Sequence, residues 1–203
     1  MSTKHIVDNL SGQTITGQPI LRPYKSYAAL LAQSGASNAE YITSGDLTIG
    51  VTYTITPDGI HEPGYDYDFT NVGAPNNDIG TSFVATGTNP NSWGTFIYLD
   101  YDTATPVVTV LENTIGNIWF EYLDVGSYYM KSNRLFGNVF PVIINNIDLF
   151  DVGSSISQTL QVLDTDTILI RTSDVNALSD DFLVNTPIEI RVYNWWKQIL
   201  NIS

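Results

Sequence analysis

The sequence predicts an all-β protein, a β-sandwich or barrel, and two observations support this prediction. Short runs that alternate apolar and polar residues recur along the chain, separated by clusters of Gly, Asn, Asp and Ser. No long segment shows the 3.6-residue apolar period of a helix. Thr81–Thr86 is typical of these runs, because in an extended chain Phe83 and Ala85 point opposite to Ser82 and Val84.

The composition limits the classes of partner. The chain has 203 residues, 43% of them hydrophobic, enough for one large or two small cores. Only 14% are charged, so Thr, Ser, Asn and Gly must supply most of the polar surface. The net charge is −13, and no Lys or Arg lies between Lys25 and Lys131. Because such a surface repels phosphate backbones, we expect no nucleic-acid binding.

Targeting and cross-linking signals are absent from the sequence. There is no cysteine, so the fold uses neither disulfides nor thiolate metal sites. The N-terminal residues lack the apolar stretch of a signal peptide, and no apolar run approaches the roughly 20 residues of a membrane helix. We therefore expect synthesis in a cytoplasm and no membrane insertion.

The first elements follow from local patterns. Residues 1–20 are polar and predict an N-terminal arm. Tyr24–Gln33 favours a strand, although Ala28–Leu31 could form a helical turn by propensity, because a Ser-Gly pair ends the segment too early for a stable helix. Leu47–Thr56 predicts the next strand, with its alternate apolar residues on one face.

The central and C-terminal parts continue the β pattern. Thr95–Tyr101 predicts a strand, and Val107–Glu112 and Asn117–Leu123 predict the two arms of a hairpin near Gly116. A tight turn is expected at Asp164–Asp166. The remaining predicted strands are Tyr128–Lys131, Val139–Asn145, Leu160–Leu163, Thr167–Arg171 and Ile188–Tyr193.

The C-terminal apolar tail, residues 195–203, differs from the rest of the chain. Trp196, Ile199 and Leu200 share one face of a helix, and Trp195 adjoins them. These four residues either cap this chain's own core or dock on a neighbouring subunit, since aromatic anchors are enriched at interfaces. The sequence leaves both alternatives open.

Loop 60–68 is acidic and aromatic. Its ionisable side chains besides tyrosine are His61, Glu62, Asp66 and Asp68. Carboxylates this close could hold Ca²⁺, but the loop lacks an EF-hand register and a Pro-Gly pair already accounts for a turn. We interpret it as a solvated loop, assign no metal ligand, and leave cation binding open.

No constellation predicts catalysis. The pairs Asp100/Asp102 and Asp164/Asp166 each share one strand face, but nothing places them across a cleft as a glycosidase requires. The two histidines lie in the N-terminal arm and in loop 60–68, and no nucleophile elbow or phosphate-binding glycine motif occurs. We therefore predict no enzyme activity, no catalytic residue and no cofactor.

Two longer motifs resemble structural proteins of tailed phages. The segments Tyr24–Gly35, YKSYAALLAQSG, and Thr105–Trp119, TPVVTVLENTIGNIW, resemble the family's YKVYTALLTQSG and APVATVLENTLG…VW. Between them, Leu47–Tyr53, Asp68–Gly73 and Gly80–Thr88, followed by a tryptophan, resemble a small β module of tail-fibre and other virion proteins. The resemblance covers about residues 19–130.

This resemblance implies a nested layout. A main β domain comprises residues 21–38 and 100–194, and a small β module, residues 39–99, is inserted in its first connection. Insertion at a loop tip costs little free energy, because loop-closure entropy grows slowly with loop length. The expected fold class is therefore all-β, with a sandwich or barrel-like domain that carries a second β module.

The resemblance also implies a function. It suggests a non-enzymatic virion structural protein, a head decoration, head fibre or tail fibre component. Such a protein would be made in the host cytoplasm and assemble as a homo-oligomer, a trimer by fibre habit, on other capsid or tail proteins. The alternative is a fibre module that binds a host-surface glycan as receptor. Its candidate contacts are Tyr65, Tyr67 and Trp93, rigid aromatic side chains beside Asn and Asp.

Overall fold

A computed structural model describes residues 24–60, 66–137, 139–140, 157–174 and 177–193. These residues form fourteen strands and one 3-10 turn, Thr70–Val72, and none of their helices is long and apolar enough to cross a membrane. The strands are β1 (Tyr24–Ala32), β2 (Ala39–Ile42), β3 (Thr52–Pro57), β4 (Tyr67–Asp68), β5 (Ser82–Val84), β6 (Ser92–Trp93), β7 (Ile97–Asp102), β8 (Val107–Asn113), β9 (Ile118–Asp124), β10 (Ser127–Ser132), β11 (Val139–Phe140), β12 (Ser157–Val162), β13 (Thr167–Ser173) and β14 (Thr186–Tyr193).

Two antiparallel sheets enclose the larger core. One sheet has the order β11-β14-β1-β8 and the other β12-β13-β10-β9. Their inward residues meet in one continuous cluster, as in a β-sandwich. Its fully buried large side chains include Tyr27, Leu31, Phe120, Tyr128, Ile168 and Ile190.

Strand β1 lies at the centre of its sheet. It pairs with β14 from Tyr24↔Tyr193 to Leu31↔Thr186 and with β8 on its other side. Tyr27, Ala29 and Leu31 point into the sandwich core, which confirms the strand over the helical turn. The alternation, rather than the helix propensity of its alanines and leucines, decides the structure, since tertiary burial outweighs weak propensities.

A second β module interrupts the connection from β1 to β8. It contains a sheet of order β2-β7-β3-β5, the short ladder β4-β6, and a core of its own. The largest side chains in that core are Tyr53, Ile55, Phe69, Phe83 and Leu99. The predicted fold class, a sandwich with a small β module inserted in its first connection, is confirmed. Strand β7 runs past residue 99 to Asp102.

The module covers one side of the sandwich. The Val108 N–H of β8 donates to the Gly50 carbonyl at 2.9 Å, and the Phe120 N–H of β9 donates to Thr52 Oγ1 at 3.2 Å. Val84 of β5 packs into the sandwich core. Because β8 and β9 are edge strands, these contacts protect edges that would otherwise invite pairing with another chain.

The strand predicted at Leu47–Thr56 starts later than expected. Strand β3 begins at Thr52, because Val51 N–H bonds to the Thr48 carbonyl and turns the chain before it. Ile49, expected on the buried face, is therefore 56% exposed, whereas Leu47 is buried. The apolar residues alternate from Leu47 through the turn into β3, so the sequence pattern alone does not reveal where the strand begins.

The predicted hairpin of residues 107–123 is wrong. Strand β8 pairs with β1 and strand β9 with β10, so the two arms belong to opposite sheets. The connection crosses between the sheets and is held by Asn113 Oδ1, which accepts from Ile115 and Gly116 N–H groups, and by Thr114 N–H on the Ser26 carbonyl. Both strands direct apolar residues into the same core. Such a pattern is the same whether two strands pair in one sheet or face each other from opposite sheets.

The later elements fit the sequence pattern more closely. The turn between β12 and β13 is confirmed, with Asp166 N–H on Asp164 Oδ1 at 2.7 Å and Leu163 N–H on the Thr167 carbonyl at 3.0 Å. Of the strand predicted at Val139–Asn145, β11 contains the first two residues, and the remainder lies outside the described residues.

Candidate functional site

A groove of about 440 Å³ separates the module from the sandwich. We call it the interdomain groove. Its size lies within the range of small-ligand sites, which favour boundaries between domains. Strands on both sides form its walls, so its side chains are held by the two sheets rather than by a loop. Polar and aromatic side chains dominate its lining, among them Thr54, Asp100, Asp102, Trp119, Glu121 and Tyr122.

The module wall is the outer face of β3 and β7. Ile55 and Leu99 point into the module core, so their neighbours Thr54 and Asp100 point outward, directly opposite each other in register. The Asp100 carboxylate accepts a hydrogen bond from Thr56 Oγ1 at 2.8 Å. The Asp102 carboxylate accepts from Ser37 Oγ and from the Ala104 N–H. Neutral donors thus orient both carboxylates.

The sandwich wall is strand β9. Trp119 Nε1–H donates to Glu121 Oε1 at 3.0 Å, which fixes the indole ring and the carboxylate together. Tyr122 donates through its hydroxyl to Asp180 Oδ2 at 3.2 Å and packs edge-on against Tyr128. Burial and the neighbouring Asp180 carboxylate raise the pKa of Tyr122, so its phenol stays protonated and remains a donor at neutral pH.

The groove is electrostatically negative. Its lining contains four carboxylates, and within the described ranges none of them forms an ion pair with Lys or Arg. No group of three or more His, Asp or Glu among the described residues converges closely enough to hold a metal ion. The acceptors are therefore spread along the groove, an arrangement that suits a ligand with several separate donors and repels anions.

The predicted glycan contacts lie elsewhere. Tyr67 and Trp93 are opposite each other in the β4-β6 ladder, half-buried, and neither lines the interdomain groove. Trp93 packs edge-on against Phe69 with ring centroids 5.4 Å apart, and its Nε1–H donates to the Gly45 carbonyl at 3.1 Å. Both aromatic rings thus contribute to packing in the module. Tyr65 lies outside the described residues.

Asp68 organises the end of the acidic loop. Its carboxylate accepts hydrogen bonds from the Thr70 hydroxyl and N–H, from Asn91 and from Asn77. These bonds, the Thr70 hydroxyl first, hold its pKa well below its usual range. His61 and Glu62, the other residues considered for a cation, lie outside the described residues.

The other predicted residues divide between the groove and the surface. Asp100 and Asp102 lie in the groove, whereas Asp164 and Asp166 belong to the β12–β13 turn. The four tail residues proposed for docking lie outside the described ranges; they are Trp195, Trp196, Ile199 and Leu200.

Sequence reasoning missed Trp119, Glu121 and Tyr122 as groove residues. It placed them in a hairpin arm, although a tryptophan and a glutamate at alternate positions on one strand face indicate an outward polar surface.

A second surface is the outer edge of β12, which we call the β12 edge. Strand β12 pairs with β13 from Ser157↔Ser173 to Val162↔Ile168, and in the described part of the chain no strand pairs with its other side. Leu160 and Val162 pack against the sandwich core, while Ser157, Thr159 and Gln161 are exposed. The segment SQTLQV contains no charge, Pro or Gly.

No protein-family model, curated protein or solved structure matches this chain.

Proposed function

We propose that this protein is a non-enzymatic structural component of a phage virion that acts by homo-oligomeric assembly on the particle. The β12 edge is the observation that carries the assembly part. Natural edge strands are usually protected by lysine, proline, a bulge or a covering element, and β12 has no such residue. The phage motifs of β1 and β8 support the virion part.

Assembly proceeds by strand pairing. A second copy places a strand against the β12 edge, and backbone N–H and C=O groups form the inter-subunit ladder. The exposed side chains of Ser157, Thr159 and Gln161 are polar and uncharged, so a second strand can approach without burying a charge. The other side of the sandwich is covered by the module, whereas in the described part of the chain the outer side of β12 pairs with no strand and is open to a partner. The particle position, on the head or on a tail fibre, follows from attachment to other virion proteins.

Light scattering of the purified protein tests the assembly. The wild type is expected to be an oligomer at about 100 μM, a concentration at which strand-mediated subunit contacts of micromolar affinity form. Thr159→Lys places a charge at the β12 edge and is expected to give a monomer. Thr109→Lys is the matched control, since Thr109 is an exposed threonine on β8, an edge strand next to the module, and it is expected to leave the oligomer intact.

A monomeric wild type overturns assembly by this chain alone. An oligomer that Thr109→Lys dissociates and Thr159→Lys does not would place the interface on β8 instead.

Electron microscopy of virions labelled with an antibody against this chain tests the virion assignment. Label over the head or on spikes rising from it supports decoration or a head fibre, and label at the tail tip supports a tail fibre. Particles without label contradict the assignment.

A second candidate function is binding of a host-surface glycan by a fibre module. The interdomain groove favours it, because the groove offers an aromatic ring and spread acceptors to a ligand. The β4-β6 aromatic pair supports it less, since neither Tyr67 nor Trp93 lines the groove. Binding to a glycan array by the whole protein tests this function.

A further inference from the structure

We propose that the interdomain groove binds a short stretch of a neutral, hydroxyl-rich saccharide, with Trp119 as the ring that the sugar stacks on and Asp100 as a hydrogen-bond acceptor. The proposal rests on the second candidate function, glycan binding, and names its site and its ligand class.

The module wall favours ligands that donate hydrogen bonds. Asp100 lines the groove and uses one carboxylate oxygen to accept from Thr56, so its other oxygen has lone pairs available to a ligand. Thr54 lies beside it and presents a hydroxyl that exchanges a hydrogen bond with Ser82 at 2.8 Å. Sugar hydroxyls donate readily to such oxygens, and bonds to an ionised acceptor are the stronger kind.

The charge and spacing of the acceptors exclude two other ligand classes. A phosphate or sulfate would enter a groove that contains Glu40, Asp100, Asp102 and Glu121 and no basic side chain. A bound metal ion would need carboxylates that converge, and among the described residues no such convergence exists. Acceptors arranged along a groove instead match the hydroxyls distributed along a saccharide.

The sandwich wall supplies the stacking surface. The Trp119 ring is half-buried, and its hydrogen bond to Glu121 fixes its orientation before a ligand arrives. A fixed aromatic ring offers a large apolar contact to the C–H face of a sugar at small entropic cost. Because residues of β9 and β7 both line the groove, a saccharide that spans it would reach the ring and the carboxylate together.

The test uses the full-length protein on an array of neutral, anionic and cationic bacterial polysaccharides, followed by calorimetry with the neutral oligosaccharide that binds best. Neutral glycans are expected to bind. Trp119→Ala is expected to weaken affinity about ten-fold or more, and Asp100→Asn about three- to ten-fold, since each removes one class of contact. Asp78→Asn, at an exposed aspartate of the module that does not line the groove, is the matched control and is expected to leave affinity unchanged; Trp93→Phe tests the alternative site at the β4-β6 ladder.

Thermal melts of each variant distinguish lost binding from lost folding, and Asp100→Asn preserves the side-chain volume if Trp119→Ala proves unstable. The proposal is overturned if no neutral glycan binds at millimolar concentration, or if Trp93→Phe weakens binding and the groove variants do not. Binding of cationic glycans alone overturns the ligand class. The virion assignment is measured separately by particle labelling and by the Thr159→Lys oligomer assay, so either idea can fail without the other.

Discussion

Replacing Gly50 by alanine tests how the module is fixed to the sandwich. Gly50 has a φ of +88°, and a Cβ there would lie 2.5 Å from the Val108 carbonyl oxygen. Carbon and oxygen atoms normally approach no closer than about 3.3 Å, so the two segments must move apart by nearly an ångström. The Val108 N–H to Gly50 carbonyl bond, 2.9 Å long, lies at the same contact. The substitution therefore acts on the junction itself.

The cost has two parts. A left-handed backbone costs an L-residue about 1–2 kcal/mol, and loss of a buried backbone hydrogen bond costs about 0.5–1.5 kcal/mol more. We expect Gly50→Ala to lower the free energy of unfolding by about 2–3 kcal/mol. Gly45 has nearly the same φ, +91°, with nothing within 4 Å of an added Cβ. Gly45→Ala therefore pays the backbone part alone, about 1–2 kcal/mol.

Urea denaturation of both variants, followed by tryptophan fluorescence, measures the difference. Gly50→Ala is expected to be less stable than Gly45→Ala by about 1 kcal/mol, well above the few tenths by which such measurements scatter. Limited proteolysis should also cut the Gly50 variant faster within residues 39–102. Equal destabilisation of the two variants would refute the reasoning, because it would show that the contact at Val108 carries no free energy.

Two further predictions concern titratable groups. The Tyr27 hydroxyl is buried without a hydrogen-bond partner among the described residues, so Tyr27→Phe is expected to raise stability by about 1 kcal/mol in urea denaturation at pH 7, and lower stability would contradict this. Burial also raises the pKa of Tyr27, so above about pH 10 the phenol ionises more readily in the unfolded chain than in the folded protein and stability falls; the Phe variant should lose less stability there. Hydrogen bonds from Thr70 and Asn91 lower the pKa of Asp68, so its contribution is present above about pH 4 and falls as the pH drops, and Asp68→Asn should reduce the acid sensitivity of the urea midpoint. Carboxyl NMR of Asp68 should show titration below that of the exposed aspartates, and titration near pH 4 would count against the network.

Alternation along single strands predicted much of the fold. The buried faces of β1, β10 and β14 follow the period of two, because burial on one side of a sheet imposes it. The turn at Asp164–Asp166 was predictable, because an aspartate side chain commonly accepts a hydrogen bond from the N–H two residues later, as Asp164 does from Asp166. The inserted module followed from the resemblance rather than from these patterns.

The alternation of apolar and polar residues did not predict which strands pair with each other. Strands β8 and β9 are both rich in apolar residues, yet β8 pairs with β1 and β9 with β10, since a residue pattern gives the buried face of a strand and not its neighbour. Strand β5 shows a related limit. Phe83 and Val84 are both buried because the module core covers one face and the sandwich core the other.

The groove was unpredictable for the same reason. It forms where β7 and β9 face each other across the boundary, and no local signal joins Asp100 to Trp119. By contrast, the sequence suggested that Tyr67 and Trp93 are exposed aromatic residues in a polar loop. In the structure the β4-β6 pairing and contact with Phe69 leave both side chains half-buried. Composition near an aromatic residue does not tell whether its ring packs inside or faces a ligand.

The position of β1 between β8 and β14 imposes an order on biosynthesis. Strand β1 is synthesised first, but its second neighbour, β14, is the last described strand to leave the ribosome. The module has its own core and can fold as soon as β7 has left the ribosome, while β1 is still without either of its neighbouring strands. Such distant pairing makes folding slow and exposes β1 to neighbouring nascent chains, so yield should depend on translation rate and on chaperones more than the final stability suggests.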